Sequence, residues 1–87
     1  MSKKGFGYHT RAIPKGVLGE LSKIREELDE AEDAQGQGAK LLELCELADI
    51  YGALREVLQR RYPGWKMRDL KQMANATRRS FRRGERR

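Results

Sequence analysis

Two groups of carboxylates stand out in this chain, Glu26-Glu27-x-x-Glu30 and, fifteen residues on, Glu46-x-x-Asp49. Residues three apart on an α-helix lie on nearly the same face. Glu27 with Glu30, and Glu46 with Asp49, can therefore each aim a pair of oxygens in one direction. If the helices that carry them pack antiparallel, the pairs meet. A hard divalent cation with oxygen ligands, keeping positions open for water and phosphate, suits such a set, and magnesium is the expected ion, with Mn²⁺ a possible substitute.

The elements needed to position these groups are legible in the apolar pattern. Residues 1–16 lack sustained periodicity and include Gly5, Gly7, Pro14 and Gly16, so they read as an extended arm. A first helix is expected from Val17, with Val17, Leu21, Ile24, Leu28 and Ala31 forming one stripe toward the core. Gln35-Gly36-Gln37-Gly38 ends it in a tight connection. A second helix over Ala39 to Arg61 is apolar almost all round, as expected of a central helix contacted on several sides. Glu46 and Asp49 lie in its middle, where burying charge is costly unless the groups are paired or bind a metal.

Tyr62-Pro63-Gly64 stops that helix, because Pro63 cannot continue it. A third, shorter helix is expected near Met67 to Arg83, with Leu70, Met73, Ala74, Thr77 and Phe81 toward the core. Lys71, Asn75, Arg78 and Arg82 form a strip of donors on another of its faces. The domain reading is an arm (1–16), a helical domain (17–83) and a basic tail (84–87). The fold class expected is all-α: two long antiparallel helices and a shorter third, oligomerising into a four-helix-bundle core.

Composition bounds this reading. The 87 residues are 37% charged and 38% hydrophobic, enough for one small domain with broad solvated faces and a modest core. A homodimer or homotetramer is expected to complete that core. No apolar run approaches the roughly 20 residues that span a bilayer, and no signal-peptide core follows Lys4, so the expectation is a cytoplasmic protein without a membrane partner. The net charge of +6 is divided: residues 17–59 carry eleven acidic and four basic side chains, whereas residues 66–87 carry nine basic and two acidic ones.

Other chemistry-bearing side chains have plainer readings. Cys45 is the only cysteine, which excludes an internal disulfide, and its apolar surroundings suggest a buried thiol. His9, on the arm, reads as solvent-exposed. Tyr51 and Trp65 read as core or interface residues. Glu26, Glu30 and Glu32 would ordinarily form a solvated helix face, with Glu26 projecting away from the apolar stripe. A di-iron carboxylate bundle is disfavoured because no Glu-x-x-His occurs.

At Lys23-Ile24-Arg25-Glu26-Glu27-Leu28-Asp29-Glu30-Ala31 and Glu46-Leu47-Ala48-Asp49, followed by a helix with Lys71, Asn75 and Arg78, the chain resembles the MazG-like all-α nucleoside triphosphate pyrophosphohydrolases. The likeness covers roughly residues 16–81. With Ile13-Pro14-Lys15-Gly16 at its start and Tyr62-Pro63-Gly64 before the last helix, it is most similar to the small phage-encoded members. For such a member the host cytoplasm would be the compartment. The fifteen-residue gap is near the short end for the family.

The resemblance implies Mg²⁺-dependent cleavage between the α and β phosphates of a nucleoside triphosphate, giving a monophosphate and pyrophosphate. It assigns metal binding to Glu27, Glu30, Glu46 and Asp49, and catalysis to Glu26 and Glu27, with Glu26 or an unliganded quartet member taking a proton. It assigns polyphosphate binding to Lys71, Asn75, Arg78 and, more weakly, Lys23. The alternative is a non-enzymatic helical protein that binds nucleic acid weakly and without sequence preference through its arginine-rich C-terminus.

Overall fold

The computed structural model describes the backbone of residues 7–82 and the side chains of residues 7–78. Three helices follow one another, α1 (Leu21–Gly36), α2 (Lys40–Arg61) and α3 (Met67–Arg82), and no strand occurs among the described residues. The second and third helices match their expected spans within a residue. The first begins four residues later than its periodicity suggests. The cause is Gly19, whose φ of 92° lies in the left-handed region, so the chain turns through Val17–Glu20 before the helix can propagate. The Arg60 side chain of α2 lies directly against that glycine, in the space a Cβ would fill.

α1 and α2 form an antiparallel hairpin. Gly38, at φ 71°, reverses the chain, and Ala39 N–H donates back to the Ala34 carbonyl at 3.0 Å, satisfying a terminal carbonyl of α1. Gln35 meets Glu43 near the turn, the carboxylate groups meet in the middle, and Gly19 meets Arg60 at the open end. The faces in contact carry small residues, Ala31 and Ala34 on α1 and Ala53 on α2, with Val57 and Leu58 filling the far end. Small side chains let the helix axes approach closely, which brings the carboxylates of α1 and α2 together.

This packing overturns most of the expected core stripe of α1: of its five residues only Ala31 is buried, and Ile24 is half-buried. Leu21 is 65% and Leu28 48% exposed, whereas Glu27, Ala31 and Ala34 are buried. Consecutive residues on a helix are about 100° apart, so a face centred on Glu27, Ala31 and Ala34 turns Leu28 away from α2. Leu41, Leu44, Leu47 and Tyr51 of α2 are exposed as well. Cys45 lies on the solvent side of α2 and is exposed, not buried. The single chain thus leaves much of its apolar surface uncovered.

Tyr62–Trp65 forms the turn into α3, with Trp65 N–H donating to the Tyr62 carbonyl at 3.1 Å. Asp69 caps α3 by accepting from Lys66 N–H at 2.8 Å. The helix lies beside the second half of α2, and an open groove between them is lined by Leu54, Val57, Leu58, Trp65, Leu70 and Met73. Leu70 and Thr77 are half-buried, but Met73 and Ala74 are exposed, contrary to their expected core placement. Phe81 falls outside the described side chains.

Candidate metal centre

The α1–α2 hairpin brings Glu27, Glu46 and Asp49 together, with Glu30 beside Glu27 and Glu46. One oxygen each from Glu27, Glu46 and Asp49 lies within 4.8 Å of the others, and the same holds for Glu26, Glu27 and Glu30. A third such group is His9, Glu30 and Glu46. Glu27 and Glu46 are each 6% exposed, Glu30 is half-buried, and Asp49 opens to solvent. The cluster therefore has a buried floor and one accessible wall.

Most of the surrounding polar atoms are paired. Lys23 Nζ lies 3.0 Å from Glu27 Oε2 and donates to Glu26 Oε1 at 3.1 Å. Both carboxylates raise the lysine's proton affinity, Glu27 the more. Glu26 also accepts from Gly16 N–H at 2.8 Å, and Lys15 approaches its other oxygen at 3.5 Å. Burial alone would push the Glu26 carboxyl up, but the Gly16 amide and the two lysines outweigh it and hold it below its ordinary range. Far from projecting into solvent, Glu26 ties the arm to α1.

Two atoms break this pattern. Glu27 Oε1 and Glu46 Oε1 are buried and meet no hydrogen-bond partner. A buried carboxylate oxygen without a donor is costly, and here one from each helix is left so. Burial, with repulsion from Asp49 and Glu27, raises the proton affinity of Glu46. Glu30 is pushed up to about 8 by burial and by Glu27 and Glu46. A proton held at Glu30 is one way to relieve this concentration of negative charge. A divalent cation is the other, and a set of oxygens with one open side suits an ion that keeps water and phosphate among its ligands.

His9, expected in solvent, is buried at the edge of the cluster. Its Nδ1 lies 3.0 Å from Asp33 Oδ2, and its Nε2 lies 3.3 Å from Glu46 Oε2. Asp33 gathers further donors: the Thr10 hydroxyl, Thr10 N–H at 3.0 Å and Gln37 Nε2 at 2.8 Å. The Thr10 hydroxyl leads in depressing the Asp33 carboxyl, with burial opposing it, so the group is ionised near neutrality. The residues around Tyr8-His9-Thr10 are thus strapped across the C-terminal half of α1. Sequence periodicity carries no signal for such a strap; the one hint was Asp33, three residues beyond Glu30 and so on the same face.

Lys71, Asn75 and Arg78 are exposed on α3, and none forms an ion pair or hydrogen bond with the carboxylates among the described residues. Lys71 borders a shallow depression with Tyr51, Leu54 and Met67, on the segment of α2 that follows Asp49. Tyr51 is about half exposed, with the Arg55 guanidinium 5.9 Å from its ring centre; Trp65 is likewise half exposed. No family model, curated protein or solved structure matches this chain significantly.

Proposed function

We propose that this chain is a Mg²⁺-dependent nucleotide pyrophosphohydrolase of the MazG-like kind, cleaving a nucleoside triphosphate between its α and β phosphates. The observation that carries the reading is the pair of buried, unpartnered oxygens, Glu27 Oε1 and Glu46 Oε1, on facing helices. Glu27, Glu30, Glu46 and Asp49 would hold the cation. When bound, it supplies charge neutralisation at the phosphates and a more acidic water.

The chain's own side chains divide the remaining work. Lys23 fixes Glu27 by bonding to Oε2, leaving Oε1 for the centre. Glu26 has its oxygens committed to Gly16, Lys23 and Lys15, which favours a member of the quartet over Glu26 as the proton acceptor. Lys71, Asn75 and Arg78, exposed on α3 and without an ion pair to the carboxylates among the described residues, are assigned to the polyphosphate. The uncovered leucines of α1 and α2 are assigned to a homodimer or homotetramer in which paired hairpins build a four-helix core.

The test is pyrophosphate release from a panel of nucleoside triphosphates with and without Mg²⁺. Release that requires the ion and disappears in Glu46→Gln supports the reading. A folded protein inactive on every member of the panel, and binding DNA at physiological salt instead, favours the nucleic-acid alternative.

A further inference from the structure

Asp33 and His9 make a directional pair. An ionised carboxylate can only accept, so the 3.0 Å contact requires Nδ1 to carry a hydrogen. The opposite nitrogen, Nε2, faces Glu46 Oε2 at 3.3 Å. A proton shared at this contact or a cation bound by both atoms can hold them this close. Carboxylate to imidazole N–H, with the opposite nitrogen turned toward a cluster of anionic oxygens, is the arrangement by which proteins orient a metal-bound histidine.

We propose that His9 Nε2 is a metal ligand, forming with Glu30 and Glu46 a mixed nitrogen–oxygen site beside the all-oxygen group of Glu27, Glu46 and Asp49. This rests on the carboxylate cluster being a cation centre, and it adds a ligand from outside the two helices that carry the acidic motifs. The spacing is suitable. Bonds of about 2.1 Å place adjacent octahedral ligands about 3 Å apart, close to the separation of Nε2 and Oε2. Ligand atoms of His9, Glu30 and Glu46 all lie within 4.8 Å of one another. Glu46 is more than nine-tenths buried, and its Oε1 meets no donor, so it has an acceptor position to offer.

Ligand chemistry then narrows the ion. Imidazole suits first-row transition metals, whereas Mg²⁺ favours oxygen. The site should therefore prefer Mn²⁺ and its neighbours over Mg²⁺, and the strap around His9 becomes a functional part of the centre.

His9 is the only histidine in the chain, so in tag-free protein any imidazole coupling to a bound ion comes from it. The experiment is pulsed EPR of the full chain loaded with Mn²⁺, read for ¹⁴N electron spin echo modulation, alongside calorimetric Mn²⁺ and Mg²⁺ titrations. The expected result is clear ¹⁴N modulation in the wild type and none in His9→Gln. Asp33→Asn should keep the modulation while Mn²⁺ affinity falls about 10- to 100-fold, the usual consequence of removing a group that orients a metal-bound histidine. Bound Mn²⁺ without nitrogen modulation in the wild type overturns the histidine ligand and leaves the carboxylate centre standing. Failure of the wild type to bind Mn²⁺ or Mg²⁺ at all overturns both. Because the decisive spectrum is that of the wild type, a variant that fails to fold does not blunt the test.

Discussion

Lys23 Nζ sits 3.0 Å from Glu27 Oε2, one helical turn away on α1, and the other oxygen of the same carboxylate is buried with no donor. The lysine thus orients Glu27 without neutralising the whole cluster. What remains uncompensated is the buried Oε1 of Glu27.

Glu46→Gln should leave the helical content intact and hold or raise the melting temperature of the metal-free protein, because removing one buried carboxylate relieves repulsion among the rest. The same change should abolish Mg²⁺-dependent turnover and the thermal shift that Mg²⁺ produces. Calorimetry with and without Mg²⁺ checks both halves; full turnover in Glu46→Gln and Glu27→Gln would remove the quartet from the chemistry.

Glu30 sets a pH dependence. Its folded-state value is raised to about 8 from an ordinary 4.5, so between these values the folded protein binds more protons than the unfolded one. Metal-free stability should therefore fall as pH rises from about 4.5 to 8. Glu30→Gln should flatten this fall, and Mg²⁺ should offset it in the wild type. Denaturant midpoints across pH 5 to 9 provide the measurement; a wild-type stability that climbs over this range would contradict the assignment.

Asp33→Ala removes the acceptor shared by His9, Thr10 and Gln37. A loss of about 0.5–1.5 kcal/mol is expected, the net scale of a hydrogen bond, because Thr10 and Gln37 are exposed and can turn to water while only His9 is buried. Hydrogen exchange should report faster exchange at Thr10 N–H, while amides in the middle of α2 keep their order of protection.

Arg78→Ala should lower kcat/KM for the nucleotide roughly 10- to 1000-fold, on the scale of one charge-assisted phosphate contact. Deleting residues 84–87, which lie outside the described residues, should spare turnover. The reverse pattern would move the phosphate contact into the tail, whereas loss of DNA binding alone would assign the tail a separate electrostatic role.

Leu47→Glu places a charge on the exposed face of α2 and should shift a homodimer or homotetramer toward monomer. Light scattering at micromolar concentration gives the answer. A wild type that is already a stable monomer would refute the four-helix core.

The helices themselves were readable from residue order. Gly36 to Gly38 and Pro63-Gly64 break the chain where α1 and α2 end, and the apolar density of α2 fixes it as a long helix, because turn residues and periodicity act locally. The pairing of Glu27 and Glu30 with Glu46 and Asp49 was legible for the same reason: spacing of three on each helix, plus a short connection, leaves few alternatives to antiparallel contact. Which face of α1 turns inward was not legible. The leucine stripe and the carboxylate–alanine face are both periodic, and only close approach at Ala31, Ala34 and Ala53 selects the second within one chain. Nor could sequence place His9 at Asp33 and Glu46 or bind Glu26 to Gly16 and Lys15, since these contacts join an aperiodic segment to helices ten or more residues away. Local preferences determined the helices and the candidate ligands on each; the tertiary structure decided which oxygens stay unpartnered and that a histidine joins them, because those depend on distances between segments that no local preference sets.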